Sequence, residues 1–217
     1  MREVGEGVFQ VEGTGRWANA FLVRVPEPVL VDAGTRGGGR RVAAELERAG
    51  IVPLAILLTH SHFDHAGGAG HVRDATGAPI WAPAAEQPLF TGERRHRFAA
   101  RAGARIANAG RRVELPSVDR WLEPGEVVAG LEAVPTPGHT PGHTAYRLGT
   151  TIVAGDAFMT GDRLREAVPV FIADRAEARR SVERLAELDL DLALSGHGPP
   201  TRGAKEKLAA LAASWSS

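Results

Sequence analysis

Thr59-His60-Ser61-His62-Phe63-Asp64-His65-Ala66-Gly67-Gly68 follows directly on the apolar run Ala55-Ile56-Leu57-Leu58. The run reads as a buried strand, and it ends where a dense set of potential metal ligands begins. That arrangement puts a site at the strand's C-terminal mouth. His60 and His62 are two apart, so on extended backbone their side chains leave one face and can converge on a single ion. Asp64 and His65 turn off that line and can serve a second ion beside the first. A lone histidine is most often a packing or surface residue, but this cluster holds three of the chain's eight, which favours ligation.

Later segments place similar residues after apolar runs or in Pro- and Gly-rich loops. They are His139 in Thr136-Pro137-Gly138-His139-Thr140-Pro141-Gly142-His143-Thr144, Asp156 in Val153-Ala154-Gly155-Asp156-Ala157-Phe158, and His197 in Leu194-Ser195-Gly196-His197-Gly198-Pro199-Pro200. With the HxHxDH pattern of residues 60–65, these segments resemble the signature of the metallo-β-lactamase superfamily, and the likeness extends back to Val31-Asp32-Ala33-Gly34. The resemblance implies an α/β fold, a four-layer αββα sandwich with helices outside two stacked sheets. It also implies a divided ligand set. His60, His62 and His139 would take one metal, Asp64, His65 and His197 the other, and Asp156 would stand between. Two zinc ions are the expected cofactors, with iron as the alternative. Asp32 would support the histidines from behind, although a strand-end turn with Gly34 explains it locally as well. The family pattern gives the ligand role to His139 and a supporting place to His143, a choice the residues alone leave open.

The chemistry implied is hydrolysis without a protein nucleophile. A water shared by two divalent ions is deprotonated near neutral pH and attacks, while the ions polarise a carbonyl. Asp64 would hold that hydroxide and pass its proton to the leaving group. The chain looks most like the short, glyoxalase II-like (hydroxyacylglutathione hydrolase-like) members, since it ends too soon after His197 for a glutathione-binding helical domain. Thioester, lactone and ester cleavage share this mechanism. The alternative is a persulfide dioxygenase with one iron held by two histidines and an aspartate; a non-enzymatic metal-binding module ranks below both.

Composition narrows the field further. The chain of 217 residues carries 26 basic and 26 acidic residues and no cysteine. Zero net charge gives no general attraction to nucleic acid or anionic membrane. Without thiolates any metal must be held by nitrogen and oxygen, a set that suits zinc, iron, manganese or cobalt. No run approaches the roughly 20 apolar residues of a membrane span, and no signal-peptide core opens the chain. The expectation is a cytoplasmic enzyme acting on a small molecule, its oligomeric state open.

One domain spanning 1–217 is expected, with 84–120 as a possible substrate-facing insert. Strands are expected over Val8–Val11, Ala20–Val25, Val29–Val31, Leu131–Val134, Thr151–Ala154 and Leu190–Leu194. Helices are expected over Arg40–Ala49 after Gly37-Gly38-Gly39, from Asp64 to about Thr76, and from an Asp174/Glu177 capping box to about Leu188. A last helix is expected from Ala204 to Trp215. Arg94, Arg97, Arg101 and Arg105 would share one helix face, most simply a solvated one. His71 reads as a surface or packing residue, His96 as a surface residue and not a ligand, and Tyr146 as a strand residue.

Overall fold

The computed structural model describes residues 1–12, 18–24, 27–96 and 114–215. Among these, the first sheet runs in chain order through β1 (Arg2–Gly5), β2 (Val8–Val11), β3 (Ala20–Val23), β4 (Val29–Val31), β5 (Ile56–Leu57), β6 (Ile80–Pro83) and β7 (Arg120–Leu122). It begins as an antiparallel meander and becomes parallel from β4 onward. The second sheet has the order β13-β12-β11-β10-β9-β8. Its strands are β8 (Val127–Val128), β9 (Leu131–Pro135), β10 (Thr144–Leu148), β11 (Thr151–Gly155), β12 (Leu192–Ser195) and β13 (Thr201–Arg202). Only β11 and β12 pair in parallel there.

Three apolar clusters define four layers. Phe21, Val31 and Leu57 of the first sheet meet Leu131, Tyr146, Val153 and Leu194 of the second in a core between the sheets. Alternate residues of the same strands, such as Leu22, Leu30 and Ile56, face Val42 and Leu46 of α1 (Arg36–Arg48) and Val72 of α3 (Ala69–Thr76). On the far side, Ile152 and Ala193 pack under Val182 and Leu185 of α5 (Arg175–Ala186) and Leu208 of α6 (Ala204–Ala213). Period-two alternation thus sends one set of side chains to the inter-sheet core and the other to a helix layer. The αββα sandwich is the result.

Several boundaries differ from the sequence expectation, each for a local reason. Helix α1 begins at Arg36, with Thr35 Oγ1 accepting from Gly38 N–H at 3.2 Å, so the three glycines lie inside the helix. A Cβ on Gly39 would come 2.2 Å from the Gly68 carbonyl oxygen, so the helix layer closes only because both residues lack a side chain. The expected helix from Asp64 to Thr76 is two pieces, α2 (Phe63–Ala66) and α3. Gly68 N–H between them donates to Gly34 O at 2.8 Å, tying the break to the β4 exit. Gly77 closes α3 at φ +75°, as a glycine C-cap does. The capping box of α5 is half made. Asp174 Oδ1 accepts from Glu177 N–H, but Asp174's own N–H donates to Gly138 O, and the Glu177 carboxylate pairs with Arg180 and Arg184.

The 84–120 region contains a short 3-10 turn (Ala84–Glu86) and α4 (Gln87–Phe90), and its last residue opens β7. Of the four-arginine face, only Arg94 belongs to the described residues; the other three lie outside them. No helix among the described residues is long and apolar enough to cross a membrane.

Candidate metal centre

The ends of β4, β5, β11 and β12 and the β9–β10 loop open on one rim, the carboxyl side of the parallel strands, where open α/β sheets usually gather their sites. β5 gives way at once to His60 and His62, and α2 then carries Asp64 and His65. Asp156 follows β11, His197 follows β12, and His139 sits in the loop between β9 and β10. All seven residues fall into three overlapping groups: His60, His62 and His139; His60, His65 and Asp156; Asp64, His65 and His197. Within each group, one potential ligand atom per residue lies within 4.8 Å of the others. The two outer groups are the division expected from sequence. Asp156 faces both, with Oδ2 at 3.4 Å from His139 Nε2 and from His197 Nε2, and Oδ1 at 3.2 Å from His65 Nε2. His197 Nε2 also stands 3.5 Å from Asp64 Oδ2.

Three of the atoms turned into the cluster lack the hydrogen bonds that burial ordinarily demands. His60 Nε2, His65 Nε2 and Asp156 Oδ1 are buried without a hydrogen bond among the described residues. His65 Nε2 and Asp156 Oδ1 approach without the alignment of a bond. Unsatisfied buried polar atoms cost about 1–3 kcal/mol each, and several converging on one point fit a cation with nitrogen and oxygen ligands. The electrostatics agree. Burial, reinforced by the neighbouring imidazoles, holds His60 and His62 well below the usual histidine range, so both are neutral donors. Burial likewise lowers His139 to about 4. Asp156 runs the other way: burial would raise it, but His65, His197 and His139 hold its carboxyl well below normal. Burial would also lower His65 and His197, yet Asp156 raises both, helped at His65 by Asp32.

Asp32 hydrogen-bonds to residues behind the cluster. Its Oδ1 accepts from Thr59 N–H at 2.9 Å, and its Oδ2 accepts from Thr59 Oγ1–H at 2.8 Å and from His65 Nδ1–H at 2.7 Å. Because a carboxylate only accepts here, His65 carries its proton on Nδ1 and turns Nε2 toward Asp156. Thr59 Oγ1 lies 2.9 Å from His60 Nδ1, so one aspartate orients two imidazoles. Asp32 does so at φ +58°, a left-handed conformation uncommon outside glycine. The turn and the support are therefore one feature.

The two histidines of the β9–β10 loop differ in their partners. Asp156 N–H donates to His143 Nε2 at 2.9 Å, which leaves the proton on Nδ1, and Thr136 Oγ1 lies 2.7 Å from that atom. Both ring nitrogens of His143 are thus taken, and burial pushes its pKa down to about 3. His139 instead turns Nε2 to within 3.0 Å of His62 Nδ1.

Sequence reading missed four participants. Thr59 links Asp32 to His60, Thr136 meets His143, and Ser61 donates its N–H to Glu86. Their one local signal is a hydroxyl residue close to a candidate histidine. Glu86 itself is wholly buried, which is rare for a carboxylate. His96, expected at the surface, is half-buried with its ring 4.6 Å from that of His62. Tyr146 does pack in β10, donating its hydroxyl to Leu58 O at 2.8 Å.

Residues 14–197 match the family profile described as the Metallo-beta-lactamase superfamily. Among curated proteins, the chain is 32% identical to the probable metallo-hydrolase YqgX of Bacillus subtilis, over 85% of this chain and 86% of that protein. It is 29% identical to the hydroxyacylglutathione hydrolase of Methylobacillus flagellatus, over 71% of this chain but only 52% of that protein. Among solved structures, TTHA1623, crystallised in a di-iron-bound form, superposes with a TM-score of 0.73 at 31% identity, covering 91% of this chain and 96% of its own.

Proposed function

Because the chain belongs to the metallo-β-lactamase superfamily, we propose that it is a dinuclear zinc-dependent hydrolase that cleaves a thioester, lactone or ester. One observation carries the reading: the seven expected ligands form three donor groups that overlap through His60 and His65. His60, His62 and His139 would hold one ion, Asp64, His65 and His197 the second, and Asp156 would bridge them. The ions, when bound, would supply Lewis-acid activation of water and of the scissile carbonyl.

The remaining work falls to the protein's own groups. Asp64, half-buried on the first turn of α2 and 3.5 Å from His197 Nε2, takes up the proton that the attacking water gives away and returns it to the leaving group. His197 is the most open of the candidate histidine ligands, its side chain 28% exposed, so substrate enters on its side. Asp32 keeps the His65 tautomer, and His143 holds the backbone N–H of Asp156. The likeness to the M. flagellatus enzyme favours a hydroxyacyl thioester of the glutathione kind. The apolar core common to both sheets supports reading residues 1–217 as one domain.

Elemental analysis of protein purified without added metal should find two equivalents of zinc, and Asp64→Asn should abolish thioester or lactone turnover. Full turnover in that variant would reject the assignment. A second reading has its own support: His60, His65 and Asp156 form a two-histidine, one-carboxylate group, the donor set of non-haem iron, and TTHA1623 binds iron. One iron per chain with sulfite formed from glutathione persulfide would establish that dioxygenase instead.

A further inference from the structure

Glu86 is a wholly buried carboxylate that the proposed chemistry does not use. It closes the 3-10 turn after β6, where the nearby His96 imidazole feels its charge. Hydrogen-bond donors satisfy its two oxygens. Oε2 accepts from Ser61 N–H at 2.9 Å and from the Ser61 hydroxyl, while Oε1 accepts from Gly142 N–H at 2.8 Å. Ser61 stands between His60 and His62, and Gly142 lies in the loop that carries His139. The two oxygens therefore join the segment leaving β5 in one sheet to the segment linking β9 and β10 in the other.

The contact is close as well as polar. A Cβ on Gly142 would lie 2.5 Å from Glu86 N and from the Ala85 carbonyl carbon, so only glycine lets this loop come down on the turn. A buried polar or charged group adds little net stability, and an apolar residue of similar size often serves a core as well. What it does supply is a fixed separation between the loops it joins. We propose that Glu86 is a positioning residue for the His60/His62/His139 subsite, setting the distance between its two ligand loops so that three imidazoles meet at one cation. The inference rests on the metal-centre reading above.

Titration of chelator-stripped protein with Co2+, followed by calorimetry and by the visible absorption of the bound ion, tests it. Wild-type protein should show two sites, one lost in His139→Ala and the other in His197→Ala. Glu86→Gln keeps the side chain's shape but turns an amide N–H toward either Ser61 or Gly142, which breaks one arm of the clamp. The site lost in His139→Ala should then weaken by about 10–100-fold, the range for groups that orient ligands, with a changed cobalt spectrum, while the other stays within about threefold. Ser61→Ala, which removes only the hydroxyl arm, should shift the same site by less and stands in if Glu86→Gln fails to fold. Unchanged affinities and spectra in both variants would overturn the proposal, as would equal weakening of both sites. Wild-type protein that binds no Co2+ would instead remove the metal-centre reading on which it stands.

Discussion

Two residues of one loop, His139 and His143, differ in what their ring nitrogens can offer. His143 is bonded on both nitrogens, to Asp156 N–H and to Thr136, whereas His139 Nε2 faces His62 and Asp156. Replacing His139 with alanine should therefore remove one metal equivalent, while His143→Gln should keep both. The latter should instead lower folding stability by about 1–3 kcal/mol, because a glutamine amide can accept from Asp156 N–H but leaves the buried Thr136 hydroxyl without its Nδ1 partner. Elemental analysis and denaturant titration of the two variants separate these outcomes; one metal in His143→Gln would reverse the assignment. The same histidines set an acid sensitivity. His139 and His143 titrate near 4 and 3 in the fold, and His60 and His62 also lie well below the ordinary 6.5. Each contributes stability that is complete above 6.5 and lost as pH falls toward the folded value. His65 and His197 are raised and act in the opposite sense, but the lowered group is larger. Metal-free protein should be less stable to urea at pH 5.5 than at pH 7.5, and an equal or greater midpoint at the lower pH would contradict this balance.

At the scale of elements, the helix layer over the first sheet rests on backbone contact between α1 and the residues just before α3. Helix propensity alone says that Gly39→Ala should add about 1 kcal/mol. The Gly68 carbonyl oxygen, 2.2 Å from where that methyl would sit, decides otherwise. Overpacking of this kind costs about 1–3 kcal/mol and here meets backbone, which yields little. Gly39→Ala should therefore destabilise the protein, read as a lower denaturant midpoint with an unchanged slope; a stabilised variant would show that the helices can separate freely. The N-terminus of α5 reaches the site in a similar way. Asp174 N–H bonds Gly138 O, Ala173 N–H bonds His139 O, and Ser181 Oγ donates to Pro137 O, so the helix that covers the second sheet also braces the loop carrying His139.

For the molecule as a whole, the two sheets meet at a rim where buried imidazoles and carboxylates crowd together. Ions binding there would stabilise the folded state by mass action, by about 4 kcal/mol at a thousandfold excess over the dissociation constant. Stripping with a chelator should lower the thermal midpoint and added zinc should restore it; an unchanged midpoint would mean that the rim holds no ion. Much of this design is legible in the chain. Apolar runs ending in His60, Asp156 and His197 announce strands with ligands at their mouths, because the alternation that buries a strand and the residue that follows it are written side by side. Helix stripes at Val42 and Leu46 or Val182 and Leu185 are equally local, and the four-layer arrangement they are compatible with is implied by the family resemblance. The short edge strands β7, β8 and β13 could not be anticipated, since their pairing partners define them more than their own residues do. Nor could the supporting network: Asp32 reaches Thr59 across 27 residues and His65 across 33, and Glu86 reaches Gly142 across 56. Sequence determined which side chains could bind metal and roughly where each strand delivers them. Only the tertiary structure decided that His143 is spent on Asp156, that Asp32 governs two imidazoles and that Glu86 joins two loops, because a hydrogen bond between distant segments exists only once the sheets have packed.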